Sequence, residues 1–204
     1  MDKEQIKAKQ EHLALRSNSR KWDREFLIVR AFLRHCEITF KEVEIIQSIK
    51  QDDIIDVEFR SSRFQVCEEL SGRKPGEEIK AHIKILQGST GDLLWTKSPQ
   101  PQDPLKPEEV LLALGVALAN KEKKYGAGNI GGIDVLVYLD IGRRLLQQST
   151  IFKTIPNSFS QWRSVSFIHQ TGAMVFCAGQ DAPVYMKLIE GQFKFSNMLE
   201  NVFL

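Results

Sequence analysis

From Trp22 the apolar residues fall at Trp22, Phe26, Val29 and Leu33. Spacings of four, three and four put them on one face of a helix, with Arg20, Lys21, Asp23, Arg24, Arg30 and Arg34 turned elsewhere. Ser17-Asn18-Ser19 just ahead offers capping side chains for its first turn. Residues 1–16 are polar and helix-favouring, and read as a polar helix or arm before a single domain over 17–204. Ile38, Phe40, Val43 and Ile45 predict an extended segment over 38–49, broken by Gln51-Asp52-Asp53. Ile54 to Phe59 is rich in β-branched residues and reads as a strand. Arg60–Arg63 is a polar turn and Phe64–Cys67 a second strand, so the pair forms a hairpin.

The second half alternates helical and strand patterns. Pro75 suits the first turn of a helix over 77–87, after a loop at 71–76. Residues 88–107 carry two glycines and four prolines and predict an irregular connection. Glu108 and Glu109 open an apolar helix from Val110 to about Lys124, and Lys121, Lys123 and Lys124 close it, matching the helix dipole at both ends. Ile133–Leu139 is almost continuously apolar, as expected of a strand covered on both faces. Trp162–His169 and Ala173–Cys177 read as two strands joined by Gln170-Thr171-Gly172. If the Ile133–Leu139 strand pairs in parallel with the hairpin, the fold is α/β, a mixed central sheet flanked by helices with a C-terminal β extension.

Composition narrows the function classes. Hydrophobic residues make up 42% and charged residues 26% of the 204, ordinary for a globular chain, and the net charge of +2 provides no global field for nucleic acid. Any such binding needs a local patch. Cys36, Cys67 and Cys177 lie far apart, without ligand spacing, and read as buried free thiols suited to a reducing compartment. The N-terminus is charged rather than apolar, unlike a secretory signal. The longest apolar run, Val110–Ala119, is about half of the ~20 residues a bilayer span needs. The expected setting is the cytoplasm, with no membrane contact.

Candidate chemistry centres on the hairpin. Asp56 and Glu58 share one face of their strand by the two-residue period, and Gln65 and Cys67 share a face of the next. Two carboxylates on one sheet face can hold Mg²⁺ through oxygens and waters; taken alone, they read more simply as a solvated strand edge. Glu68 has the opposite parity to Cys67 unless a bulge intervenes. Lys80 and Lys84, one turn apart, are candidates to reach the site, or are surface lysines. Arg20-Lys21-Trp22-Asp23-Arg24 is either a phosphate-binding helix start or a helix with Trp22 in the core. Gly126-x-Gly128-x-x-Gly131 matches the dinucleotide string, but it follows a helix and precedes a strand, the reverse of the order phosphate binding requires. Arg143-Arg144 is a weak basic cluster, and the four histidines have neither ligand spacing nor a nucleophile partner.

Several segments together resemble a bacterial family of uncharacterised endonucleases of unknown function. They are Ser17-Asn18-Ser19-Arg20-Lys21-Trp22-Asp23-Arg24-Glu25, Asp56-Val57-Glu58-Phe59-Arg60, and Phe64-Gln65-Val66-Cys67-Glu68-Glu69. Further along come Gly132-Ile133-Asp134-Val135-Leu136-Val137-Tyr138, Gln161-Trp162-Arg163-Ser164-Val165-Ser166 and Asp181-Ala182-Pro183, in the same order. The resemblance implies a restriction-endonuclease-like core: a helix, a mixed four-stranded sheet and a helix. In that class an Asp precedes a Glu-x-Lys by about ten residues across one hairpin; the carboxylates hold Mg²⁺ and the lysine polarises the attacking water. The resemblance carries Asp56 over as the metal-binding Asp, Gln65 and Cys67 as the Glu and Lys positions, and Glu25 as an accessory carboxylate. With Glu58 and the Gln65 oxygen, Asp56 would complete the metal ligands. Gln65 and Cys67 depart from the pattern: an amide brings no charge and a thiol no lasting cation. The expectation is a metal-dependent endonuclease-like protein acting on nucleic-acid phosphodiesters, using Mg²⁺ if active and degenerate if not. The alternative is a non-catalytic nucleic-acid-binding or protein-interaction module on the same fold.

Overall fold

Apolar side chains gather in two clusters, one on each face of a single sheet. The structure is a computed structural model describing residues 3–48, 53–70, 75–87, 103–141, 144–146, 152 and 155–195. Seven strands lie in chain order: β1 (Ile45–Gln47), β2 (Val57–Phe59), β3 (Ser62–Glu69), β4 (Asp134–Leu139), β5 (Ser164–His169), β6 (Gly172–Ala178) and β7 (Phe193–Phe195). β3, β4 and β5 run parallel and the remaining neighbours pair antiparallel, so the sheet is mixed, as expected. The helices are α1 (Lys3–Leu15), α2 (Lys21–His35), α3 (Pro75–Leu86), α4 (Pro107–Tyr125) and α5 (Val184–Leu188).

α2 covers one face. Ile28, Val29, Phe32 and Leu33 pack on Val57, Phe59, Phe64, Val66, Leu136 and Tyr138. Phe32 meets Phe64 edge-on at 6.0 Å. Each such fully buried ring contributes about 1.5–3 kcal/mol relative to its exposed state. α4 covers the opposite face, where Val110, Leu114, Ala117 and Leu118 pack on Val135, Val137, Leu139, Val165 and Phe167. β4 and β5, covered on both faces, are buried at every position. The near-continuous apolar run at 133–139 has that cause.

Local differences from expectation have local reasons. The buried face of α2 is rotated: Trp22 is 42% exposed, while Arg24 and Glu25 are buried. Ser17 does not cap α2; its hydroxyl donates to the Ala14 carbonyl, ending α1, and Arg20 sits at the start of α2 without a side-chain cap. The segment at 38–49 is extended only in part, because a 3₁₀ turn over Glu42–Glu44 leaves Val43 exposed. The expected strand 54–59 is regular only over Val57–Phe59, and the turn is tighter than 60–63, with Arg60 at φ 52 and β3 beginning at Ser62. Arg60 donates to the Thr39 carbonyl and to Glu44, which holds that turn. At the end of α4, Gly126 takes φ 82 and its N–H returns to the Glu122 carbonyl, so the glycine string terminates a helix. Residues 71–74 of the expected loop, residues 88–102 of the Gly- and Pro-rich connection, and Arg143 lie outside the described residues. Arg144 is no solvated cation: it grips Glu109 through two bonds and the Asp103 and Pro104 carbonyls, pinning the start of α4. No helix among the described residues is long and apolar enough to cross a membrane.

His169 joins that clamp to the sheet. Its Nε2 lies 2.9 Å from the Arg144 carbonyl, and the Thr171 N–H donates to its Nδ1. Both bonds fit the neutral ring with its proton on Nε2. Burial pushes its pKa down from 6.5 to about 4. The folded state therefore binds fewer protons than the unfolded state between those values. The stabilisation is present above pH 6.5 and is lost as pH falls through that window. Lowering the pH from 7 to 4 should cost the wild type up to about 3 kcal/mol more than it costs His169→Gln. Urea midpoints of the two proteins across that range check it; parallel pH profiles would exclude His169 as the group responsible.

Candidate functional site

β2 is three residues long, so its ladder with β3 stops at the Val57–Phe64 pair. Asp56 continues the backbone pairing by one step: its N–H donates to the Phe64 carbonyl and its carbonyl accepts from Ser48, both at 2.9 Å. Beyond that point the edge of β3 is open. The Asp56 carboxylate fills the first gap, where Oδ2 accepts from the Val66 N–H at 2.8 Å and from the Gln65 side-chain amide. Asp56 and Gln65 thus face each other across the hairpin, as strand parity predicts. Gln65, 1% exposed, carries the connection to α4, its Oε1 accepting from the Tyr125 hydroxyl at 2.7 Å. The amide oxygen that the sequence offers to a metal is committed to that phenol.

The other carboxylate comes from the first turns of α2. Glu25 lies one turn after Lys21, and the Lys21 ammonium is 2.8 Å from Glu25 Oε1 and 3.7 Å from Asp56 Oδ1. Burial and the Asp56 charge push the Glu25 pKa up, against the pull of Lys21. Burial likewise raises Asp56, although Lys21, the Val66 N–H, Lys121 and Lys124 all pull it down. Burial works against the charge on Lys21, but the bond to Glu25 and the field of Asp56 outweigh it and raise its pKa. The half-exposed ammonium therefore occupies the space between two carboxylates that burial makes costly to ionise.

Beside this cluster, along the open edge of β3 and between α2 and α4, is a cavity of about 300 Å³. Its lining includes Lys21, Glu25, Val66, Cys67, Asn120 and Lys121. Lys121 reaches from α4 to within 3.5 Å of the Val66 carbonyl. Cys67 lies in the wall, and burial pushes its thiol up to about 12, so it supplies neither charge nor a ready nucleophile.

The predicted residues divide clearly. Asp56, Gln65 and Glu25 converge, and Cys67 lines the adjoining cavity. Glu58 does not join them; it is exposed and pairs in register with Arg63. Glu68 keeps its opposite parity, because β3 stays in unbroken register with β4, and it turns to Arg16 and Arg24 at 2.9 and 3.0 Å. Lys80 and Lys84 are exposed on α3. Lys21, Lys121 and Tyr125 take the places that the motif alone did not assign. The Lys21–Glu25 spacing of one helical turn was a visible signal. Nothing local ties Lys121 and Tyr125 to a strand more than fifty residues earlier.

As a home for a divalent cation the donor set is poor. Among the described residues no group of three or more His, Cys, Asp or Glu is placed to hold a metal. Asp56 Oδ2 and Gln65 Oε1 already accept protein donors, Asp56 Oδ1 and Glu25 Oε1 face an ammonium, and Glu25 Oε2 is buried away from solvent. These residues do not fit Mg²⁺. If Lys21 is what allows the two carboxylates to share this space, Lys21→Met should cost about 1–2 kcal/mol at pH 7, a modest loss because the ammonium is half solvated. Without it both carboxyl pKa values climb further above their unfolded values. The folded state then binds the extra protons, and the deficit should shrink as pH falls toward 5. Chemical denaturation of both proteins at pH 5 and 7 measures this; a deficit independent of pH would mean the lysine acts only through packing.

Comparison with curated proteins gives no match. Among solved structures, a protein of unknown function from Pseudomonas aeruginosa strain PAO1, described as belonging to the monooxygenase superfamily, is similar at a TM-score of 0.66. The two are 22% identical over 98% of this chain and 94% of that one, a likeness of fold. The family described as "Putative endonuclease, protein of unknown function (DUF1780)" matches residues 2–199. With the match spanning nearly every residue from α1 to β7, the chain belongs to that family.

Proposed function

We propose that the protein is a restriction-endonuclease-like protein that engages nucleic-acid phosphodiesters at the Asp56 cleft without metal-dependent cleavage. The observation that carries this reading is the Lys21 ammonium between Glu25 and Asp56, in the space a catalytic cation would need. The family description supports an endonuclease ancestry. The neutral side chains at Gln65 and Cys67 support the loss of its chemistry: hydrolysis needs charge to bind the cation and a cation to polarise water, and neither position supplies one.

Binding asks less of the site. Lys21, Lys121 and Lys124 surround the cleft and act together on the Asp56 carboxylate, and Lys124 also lies 5.0 Å over the Tyr125 ring. Such lysines meet phosphate oxygens as mobile point charges. Since the net charge is only +2, the attraction is local and few phosphates are neutralised. Affinity for labelled single- and double-stranded oligonucleotides should therefore be modest and fall as salt rises from 50 to about 200 mM, with log K linear in log salt. Incubation with Mg²⁺ or Mn²⁺ should leave the strands intact. Cleavage abolished by Asp56→Ala would restore the metal-dependent reading, and cleavage surviving that change would remove Asp56 from the site. Absence of binding at low salt would favour a protein-interaction role. The double change Gln65→Glu with Cys67→Lys, combined with Lys21→Ala to clear the cation space, should introduce weak Mg²⁺-dependent nicking where the backbone geometry is retained.

A further inference from the structure

α4 turns a second apolar face outward. Val110, Leu114, Ala117 and Leu118 are buried against the sheet, but Leu112 is 71% and Val116 47% exposed. Ala119 is exposed beside them, as are Glu108 before and Lys123 after. With Gly115, these residues lie within roughly 100° of the helix circumference at 3.6 residues per turn. The chain's own packing gives no reason for the glycine. Gly115 is not among the glycines with positive φ, and a Cβ there would meet nothing within 4 Å. Alanine would fit and would favour the helix. What glycine adds in the middle of a helix is room for another surface to approach the backbone closely.

We propose that this face pairs with the same face of a second copy of the chain, the two α4 helices running antiparallel about a two-fold axis between Gly115 and Val116. The order of residues along the stripe commits it to that partner. Positions equidistant from the axis meet in an antiparallel pair: Gly115 with Val116 of the second copy, Leu112 with Ala119, and Glu108 with Lys123. Each large apolar side chain then falls opposite a small residue, and each end of the contact sets a carboxylate against an ammonium. One self-complementary patch serves both copies. A parallel pair would set Glu108 against Glu108 and Lys123 against Lys123, and would align the two helix dipoles unfavourably. The charges fix direction and register, and the apolar centre supplies the attraction. One helix face per copy is small beside the roughly 1,200–2,000 Å² that specific, stable interfaces bury, so the pair is reversible.

Sedimentation velocity of the full chain at low salt, over a concentration series from micromolar to near-millimolar, tests this. The mass should rise with concentration from that of the monomer toward twice that value. Val116→Glu, which puts a charge beside the axis at an exposed position, should abolish the rise while leaving the thermal unfolding of dilute protein unchanged. Glu108→Lys and Lys123→Glu each oppose like charges at both ends of the contact, and each alone should weaken association about fivefold. An equal mixture of these two variants should associate as well as the wild type, because every end then opposes a lysine to a glutamate. That recovery is independent of whether Val116→Glu folds. A monomer mass at every concentration would overturn the proposal. A dimer indifferent to Val116→Glu would overturn it by placing the contact on another surface. A mixture no better than either charge variant alone would overturn the antiparallel pairing of α4.

Discussion

A sheet edge exposes backbone groups that need partners, and in this fold one carboxylate meets that need where it matters most. β2 is too short to cover β3, so the Val66 N–H lies beyond the ladder. Asp56 Oδ2 accepts it, and the same oxygen takes the Gln65 amide. Gln65 passes the connection to Tyr125 on α4, while Asp56 Oδ1 faces Lys21 on α2. Hairpin and both helical layers thus meet at one partly buried acid. A side chain with that role keeps its position whether or not it does chemistry. The geometry around Asp56 therefore needs no charged side chain at positions 65 and 67.

The long periodic segments were legible in the sequence. α4, β4 and the β5–β6 pair each bury a continuous face, and burial of that kind leaves a pattern in the residues themselves. The opposition of Asp56 and Gln65 was legible for a related reason, since a short turn and a two-residue period fix which side chains meet across a hairpin. The face of α2 was misread because two of its ionisable residues point inward. Arg24 reaches Glu68, Glu25 reaches Lys21, and Trp22 is left at the surface. Periodicity counts apolar residues and has no term for a buried charge with a partner in another element. The same blindness hid Lys121 and Tyr125, whose roles depend on how α4 lies across β3.

The motif departures also fit one another electrostatically. A glutamate at position 65 and a lysine at position 67 would bring one negative and one positive charge to β3; Gln65 and Cys67 remove both. Beside Lys21 lie two carboxylates, Asp56 and Glu25; Lys121 and Lys124 also act on Asp56, and the cavity-lining Glu68 is paired with Arg16 and Arg24. Each of these three carboxylates thus has a cation beside it without a further ion. A divalent cation added to this set would meet Lys21 at close range, and would have to displace it from Glu25 to gain a second carboxylate. Burial increases that penalty, since charges in a poorly solvated cleft act on each other more strongly than they do in water. A phosphate approaching from solvent meets the half-exposed face of the Lys21 ammonium and needs no such displacement. The proposed phosphodiester contact therefore asks for no change in the charge arrangement that disfavours a divalent cation.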